Sequence, residues 1–88
     1  MLENTPLRIV TESIRRYREG LLNVEGLHQN IAAVMTALEG DIPKEVRETI
    51  YEAEASIELI SFTVDSAEQA TALEKVFREL ERVIAKHE

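Results

Sequence analysis

The chain contains no cysteine and no tryptophan, and its 88 residues include only three glycines and two prolines. Without cysteine it can form no disulfide, thiolate metal site or cysteine nucleophile, and it lacks a glycine-rich phosphate-binding loop. No run approaches the roughly 18 continuous apolar residues that cross a membrane, and the first residues do not resemble a signal peptide. We therefore expect a single domain over residues 1–88, located in the cytoplasm and without a membrane partner.

The charge is strongly acidic and unevenly distributed. The formal net charge is −7, and residues 45–88 carry five basic and eleven acidic side chains, so nearly all of the excess lies in the second half. Such a field repels phosphate backbones and attracts cationic proteins. We therefore expect no nucleic-acid partner, although an acidic surface that only maintains solubility is an open alternative.

Apolar residues recur at intervals of three and four in four segments, which is typical of amphipathic helices. Helices are expected near residues 6–19, 24–39, 43–63 and 66–86. The short connections favour antiparallel neighbours, so the sequence predicts an all-α, four-helix up-down bundle. The predicted core stripes are Leu7, Val10, Ile14, Tyr17 and Leu21; Leu27, Ile31, Val34 and Leu38; Val46, Ile50, Ala53, Ile57 and Ile60, with Val64 as an optional extension; and Leu73, Phe77, Leu80 and Ile84.

Several residues mark where these helices begin and end. Thr5 before Pro6 favours a helix start, and Asn23 is a suitable cap for the second helix. Gly20 and Gly40 are suited to the left-handed conformation that ends a helix.

Residues that could carry chemistry are few. Glu25 and His28 have the Glu-x-x-His spacing of ferritin-like metal sites, but such sites need the motif twice, and it occurs once here. No serine has a histidine at a spacing that supports a hydrolytic triad. The sequence therefore predicts a protein that is not an enzyme, with no catalytic residue, no metal and no cofactor.

A cluster of three arginines, Arg15, Arg16 and Arg18, surrounds Tyr17. Phosphate binding is one interpretation. The alternative, which we favour, is that these cations lie in the last turn of the first helix and interact with the negative end of its dipole.

The segment "RETIYEAEASIELISF", residues 47–62, is apolar on two opposite sides when wound as a helix. One explanation is a central helix whose second side, with Tyr51, Leu59 and Phe62, is covered by the first helix. The other is a docking surface in which apolar residues lie among carboxylates, as in protein interfaces. On the second interpretation, the predicted partner-binding residues are Glu48, Tyr51, Glu52, Ala55, Glu58, Leu59 and Phe62.

The stretches "IRRYREGLLNVEGLHQNI" and "EAEASIELISFT" resemble small helical bacterial immunity proteins of the colicin and contact-dependent inhibition type. In that family a Tyr-x-x-Gly helix end precedes an amphipathic helix and a later acidic helix. The resemblance implies a cytoplasmic antidote that binds and blocks one cognate toxin, often a basic nuclease. The chain lacks the Asp-x-x-x-Tyr-Tyr-Pro stretch of the nuclease-colicin group, so no binding residue is carried over from the family.

The sequence thus predicts a non-enzymatic protein-binding helical domain, with an immunity or antitoxin-like role towards a cationic toxin as the specific hypothesis. The alternative is a self-associating, homodimeric structural or regulatory protein.

Overall fold

The computed structural model describes residues 5–38 and 42–87, which form four helices and no strand. The helices are α1 (Thr5–Arg18), α2 (Val24–Ala37), α3 (Lys44–Thr63) and α4 (Ser66–Lys86). They pack as an up-down bundle measuring 37 × 22 × 20 Å. The predicted fold class is confirmed, and each helix boundary lies within two residues of its predicted position. Within the described ranges, no helix combines the length and apolar character needed to cross a bilayer.

One apolar core runs through the bundle and receives side chains from all four helices. Phe77 is the largest of its fully buried side chains. The other buried apolar residues are Leu7, Val10, Ile14, Leu27, Ile31, Val34, Ile42, Val46, Ile50, Ala53, Ile57, Leu73, Leu80, Val83 and Ile84.

The core differs from the predicted stripes at a few positions. Leu21 was predicted to be buried, but it is 66% exposed. The reason is that α1 ends before it: Gly20 adopts φ +77°, and the chain leaves the direction of the helix. Tyr17, Leu38 and Ile60 are half-buried against the core, while Ile42 and Val83 join it without having been predicted.

Gly20 and Asn23 cap the two helix ends at the connection between α1 and α2, as the hydrogen bonds there show. The Leu21 amide donates to the Arg16 carbonyl and the Gly20 amide to the Tyr17 carbonyl, which together form a Schellman motif. The Asn23 side-chain oxygen accepts from the Gly26 amide at 2.8 Å, as expected for an N-cap. The Thr5 side chain and Gly40 lie outside the described part of the chain.

The contact between α1 and α4 is narrow and centres on Arg18. Its guanidinium donates to both carboxylate oxygens of Glu74 and of Glu81, at distances from 2.6 to 3.2 Å. It also lies 5.4 Å from the centroid of the Phe77 ring, and Tyr17 contacts that ring edge-on. This one residue therefore joins α1 to α4 through charge and through packing on an aromatic ring.

The arrangement of neighbours determines which side of α3 remains open. α3 packs against α2 and α4, whereas α1 packs against α2 and α4, and in the described residues no Cα atom of α1 lies within 8 Å of a Cα atom of α3. α1 and α3 are therefore diagonal to each other. One side of α3 faces the core, and none of the helices formed by residues 5–38 and 42–87 covers the opposite side.

Candidate protein-binding face

α3 has a buried side and an exposed side, and both carry apolar residues. Val46, Ile50, Ala53 and Ile57 lie on the buried side. The predicted partner-binding residues are all exposed. We call this set the docking face: Glu48, Tyr51, Glu52, Ala55, Glu58, Leu59 and Phe62.

Three large apolar side chains stand out on the docking face. Tyr51 is 46% exposed, Leu59 61% and Phe62 82%. The interpretation in which α1 covers these residues is wrong, because in the described part of the chain α1 lies diagonally across the bundle from α3 and packs against α2 and α4. The second apolar side of α3 is therefore a surface of the folded domain.

The apolar part of the docking face runs along the helix axis. Tyr51, Ala55, Leu59 and Phe62 follow one another at intervals of four, four and three residues, so they line one side of α3. At 1.5 Å per residue the row from Tyr51 to Phe62 is about 16 Å long. A row of this length is suited to contact with one helix or one edge of another protein.

Carboxylates surround this apolar row. Glu48, Glu52 and Glu58 are exposed beside it. Glu48 lies 3.6 Å from the Lys44 ammonium, but both side chains are largely in solvent, so the pair neutralises the carboxylate only weakly. The docking face therefore combines an apolar centre with a negative border.

At one end the docking face opens into a cleft between α2 and α3. Phe62 forms part of the cleft wall, and His28 reaches it from α2. The volume of the cleft is about 240 Å³. Its lining residues are Val24, Glu25, His28, Gln29, Glu58, Ser61 and Phe62.

The environment of His28 was not foreseen from the sequence. The sequence paired it with Glu25 on the same helix, whereas the structure places its Nε2 atom 2.6 Å from a carboxylate oxygen of Glu54 and 3.5 Å from one of Glu58. Both glutamates belong to α3. Their spacing of four residues predicts that the two carboxylates share one face of α3, because residues i and i+4 are neighbours on a helix. It does not predict which residue of α2 lies opposite them.

The arginine cluster lies away from the docking face and is largely engaged in ion pairs. Arg15 donates to Glu12 and to Glu19 on its own helix, and these contacts raise its pKa above the usual value. The hydrogen bonds that Arg18 donates to Glu81 and Glu74 raise its pKa in the same way. Arg15, Arg16 and Arg18 all lie in the last turn of α1, as the helix-dipole interpretation requires.

The opposite end of the bundle carries a second histidine–carboxylate contact. His87 Nε2 lies 2.8 Å from a Glu45 oxygen, and the Lys86 ammonium lies 3.2 Å from the same oxygen. The hydrogen bonds from His87 and Lys86 lower the pKa of Glu45. This contact joins the start of α3 to the end of α4. It differs from the group around His28 in that a single carboxylate contacts the imidazole, whereas His28 has two carboxylates beside it.

Comparison with protein-family models, curated protein sequences and solved structures gives no match. The resemblance to immunity proteins accordingly stays a prediction.

Proposed function

We propose that this chain is a non-enzymatic protein-binding domain and that the docking face of α3 binds a cationic protein. The observation that carries the proposal is the exposure of Phe62, Leu59 and Tyr51 in one row among glutamates. A large exposed apolar row rimmed by polar residues marks interaction sites in soluble proteins. Aromatic residues supply much of the binding energy at such sites.

The charge of the docking face favours a basic partner over a second copy of the chain. In a two-fold symmetric dimer the same face meets itself, so Glu48, Glu52 and Glu58 would approach the same three residues of the partner copy. The net charge of −7 on each chain adds to this repulsion. A cationic protein would instead satisfy the carboxylates and would be attracted from a distance.

An immunity or antitoxin-like role in the bacterial cytoplasm is the specific form of this proposal. A small, acidic, rigid bundle that covers a basic surface on a toxin can block it sterically, with no catalytic group of its own. The acidic second half and the apolar row on α3 support this role, and so does the resemblance carried by the stretches around Tyr17 and Ser56.

Homodimer formation is the alternative function. Phe62 is 82% exposed, so burying its ring against another protein would be favourable. A second copy of the chain is a partner that is always present, at the concentration of the chain itself.

The proposal is tested by capturing partners from a soluble extract of the source organism. The immobilised wild-type chain is compared with a Leu59→Ala, Phe62→Ala double variant and with Ile9→Ala, which truncates a 42% exposed apolar side chain on α1. We expect a basic protein that the wild type and Ile9→Ala both retain, that the double variant loses, and that elutes as salt is added. A bound protein that the double variant retains equally well would contradict the proposal.

A further inference from the structure

The group formed by His28, Glu54 and Glu58 brings together three metal-ligating side chains from two helices. One ligand atom from each residue lies within 4.8 Å of the others. His28 and Glu54 are mostly buried, with 25% and 19% of their side-chain surface exposed, whereas Glu58 is 55% exposed. The group therefore lies at the boundary between the interior and the α2–α3 cleft.

The backbone fixes the positions of these three residues. Glu54 and Glu58 are one turn apart on α3, and His28 lies opposite them, near the start of α2. Both helices are held by core residues beside the group: Leu27 and Ile57 are fully buried. The three donors are thus carried by rigid helices, which reduces the cost of arranging them around an ion.

The donor set and its spacing match a first-row transition metal. Zinc binds imidazole nitrogen at about 2.0–2.1 Å and carboxylate oxygen at about 2.0–2.2 Å, so ligand atoms around a tetrahedral ion stand roughly 3.3 Å apart. The His28–Glu58 distance of 3.5 Å is close to that value. The His28–Glu54 distance of 2.6 Å needs a small outward rotation of the Glu54 carboxylate. An imidazole ligand selects zinc and its neighbours over magnesium or calcium, which prefer oxygen ligands.

Charge also favours a dication at this place. Two carboxylates face one imidazole, so the group has a formal charge of −2 when His28 is neutral, and a divalent ion balances it. Glu58 and His28 also line the α2–α3 cleft. The cleft provides an entry path for the ion and space for water at a fourth coordination position.

We propose that His28, Glu54 and Glu58 form a binding site for one zinc ion, with the fourth position open to the α2–α3 cleft. The site does not depend on the protein-binding role of the docking face, although Glu58 belongs to both. A zinc ion bound there would link α2 to α3 next to Phe62 and would stabilise the folded bundle in proportion to the logarithm of the free zinc concentration above its Kd.

The experiment is calorimetric titration of the full chain with a zinc salt, in parallel with His28→Ala, Glu54→Gln, Glu58→Gln and His87→Ala. His87→Ala is the matched control, because it removes the other histidine that contacts a glutamate. We expect one zinc ion per wild-type chain, unchanged affinity in His87→Ala, and affinity lowered at least about tenfold in the three site variants. Glu58→Gln alters an exposed side chain and keeps its shape, so its effect does not depend on a change in folding.

A second measurement uses cobalt as a spectroscopic probe. Cobalt(II) held by nitrogen and oxygen ligands in a four-coordinate site absorbs visible light much more strongly, and at longer wavelength, than the hexa-aquo ion, and we expect this strong absorption in the wild type and in His87→Ala only. The proposal is overturned if zinc produces no binding heat, if His28→Ala binds zinc as tightly as the wild type, or if magnesium binds equally well. The last result would show a non-specific acidic surface.

Discussion

Ile57 and Leu59 are two residues apart on α3 and lie on opposite sides of it. Ile57 is fully buried, whereas Leu59 is 61% exposed. One helix thus supplies apolar side chains both to the core and to the solvent. Exposing a large apolar residue forgoes the roughly 1.5–3 kcal/mol that its burial provides, and this cost is the physical reason for the proposal that a partner covers the row.

The first prediction concerns the stability of docking-face variants. Phe62→Ala should change the free energy of unfolding by no more than about 0.5 kcal/mol, because the ring is 82% in solvent already. Tyr51→Ala should cost more, about 1–2 kcal/mol, because Tyr51 is only 46% exposed and part of its ring packs on the domain. Urea unfolding followed by circular dichroism at the helix band measures both changes.

Ile57→Ala provides the matched comparison on the buried side of the same helix. Its side chain is fully buried, so its truncation should cost about 2–5 kcal/mol. If Phe62→Ala is as destabilising as Ile57→Ala, then Phe62 is a core residue in solution and the docking face does not exist as described.

The second prediction concerns the junction between α1 and α4. Arg18→Ala should lower the free energy of unfolding by about 1–2 kcal/mol, because it removes two partly exposed ion pairs and the contact with the Phe77 ring. Arg82→Ala is the control: its guanidinium pairs with Glu79 within α4, and its loss should cost about 0.5 kcal/mol or less. Equal effects of the two variants in urea unfolding would contradict the assignment of Arg18 as the link between the helices.

The third prediction is a loss of stability in acid, to which Glu74 contributes. The hydrogen bond from Arg18 lowers the pKa of Glu74 below its ordinary value of 4.5. A carboxyl whose pKa is lower in the folded state stabilises the fold above pH 4.5, and this contribution is lost as the pH falls through the folded-state pKa. Because Glu74 is 37% exposed, solvent screening keeps its share below about 1 kcal/mol.

Unfolding free energies measured between pH 7 and pH 2 in the wild type and in Glu74→Gln check this contribution. The variant should be less stable at pH 7, and the difference should vanish at the acid end of the series. A difference that persists at the lowest pH would assign the effect to packing instead of charge.

The fourth prediction concerns the turn after α1. Gly20→Ala should destabilise the fold by about 1–2 kcal/mol, because φ is +77° there and a β-carbon is unfavourable in that conformation. The space itself is open: apart from the two neighbours of Gly20 in the chain, no atom of the described residues lies within 4 Å of the place a β-carbon would take. Gly20→Asn should cost less, because asparagine tolerates the left-handed region. Thermal unfolding of the two variants compares them, and equal Tm values would argue against a backbone origin.

The sequence predicted the helices well because the information lies within each segment. The spacing of Val46, Ile50, Ala53 and Ile57 identified the buried side of α3, and Asn23 and Gly20 marked two helix boundaries through their own local hydrogen bonding. The prediction that Leu21 is buried was wrong because the periodic spacing of apolar residues continues past Gly20, the glycine that ends α1.

Features that depend on how the helices pack against one another could not be predicted from the pattern within one segment. The angular position of Phe62 on α3 is fixed by its place in the sequence, but its exposure depends on α1 lying diagonally across the bundle. The approach of His28 to Glu54, and of Arg18 to Glu74, likewise joins residues 26 and 56 positions apart. No local periodicity specifies such pairs.

The most direct test of the central claim, that the apolar row on α3 is free to bind a different protein, is the solution mass by light scattering over a series of protein and salt concentrations. We expect a monomer of 10.0 kDa throughout, because the like charges of Glu48, Glu52 and Glu58 oppose the approach of a second docking face. A concentration-dependent dimer that Phe62→Ala converts to a monomer would contradict it, and would show that a second copy of the chain covers this surface.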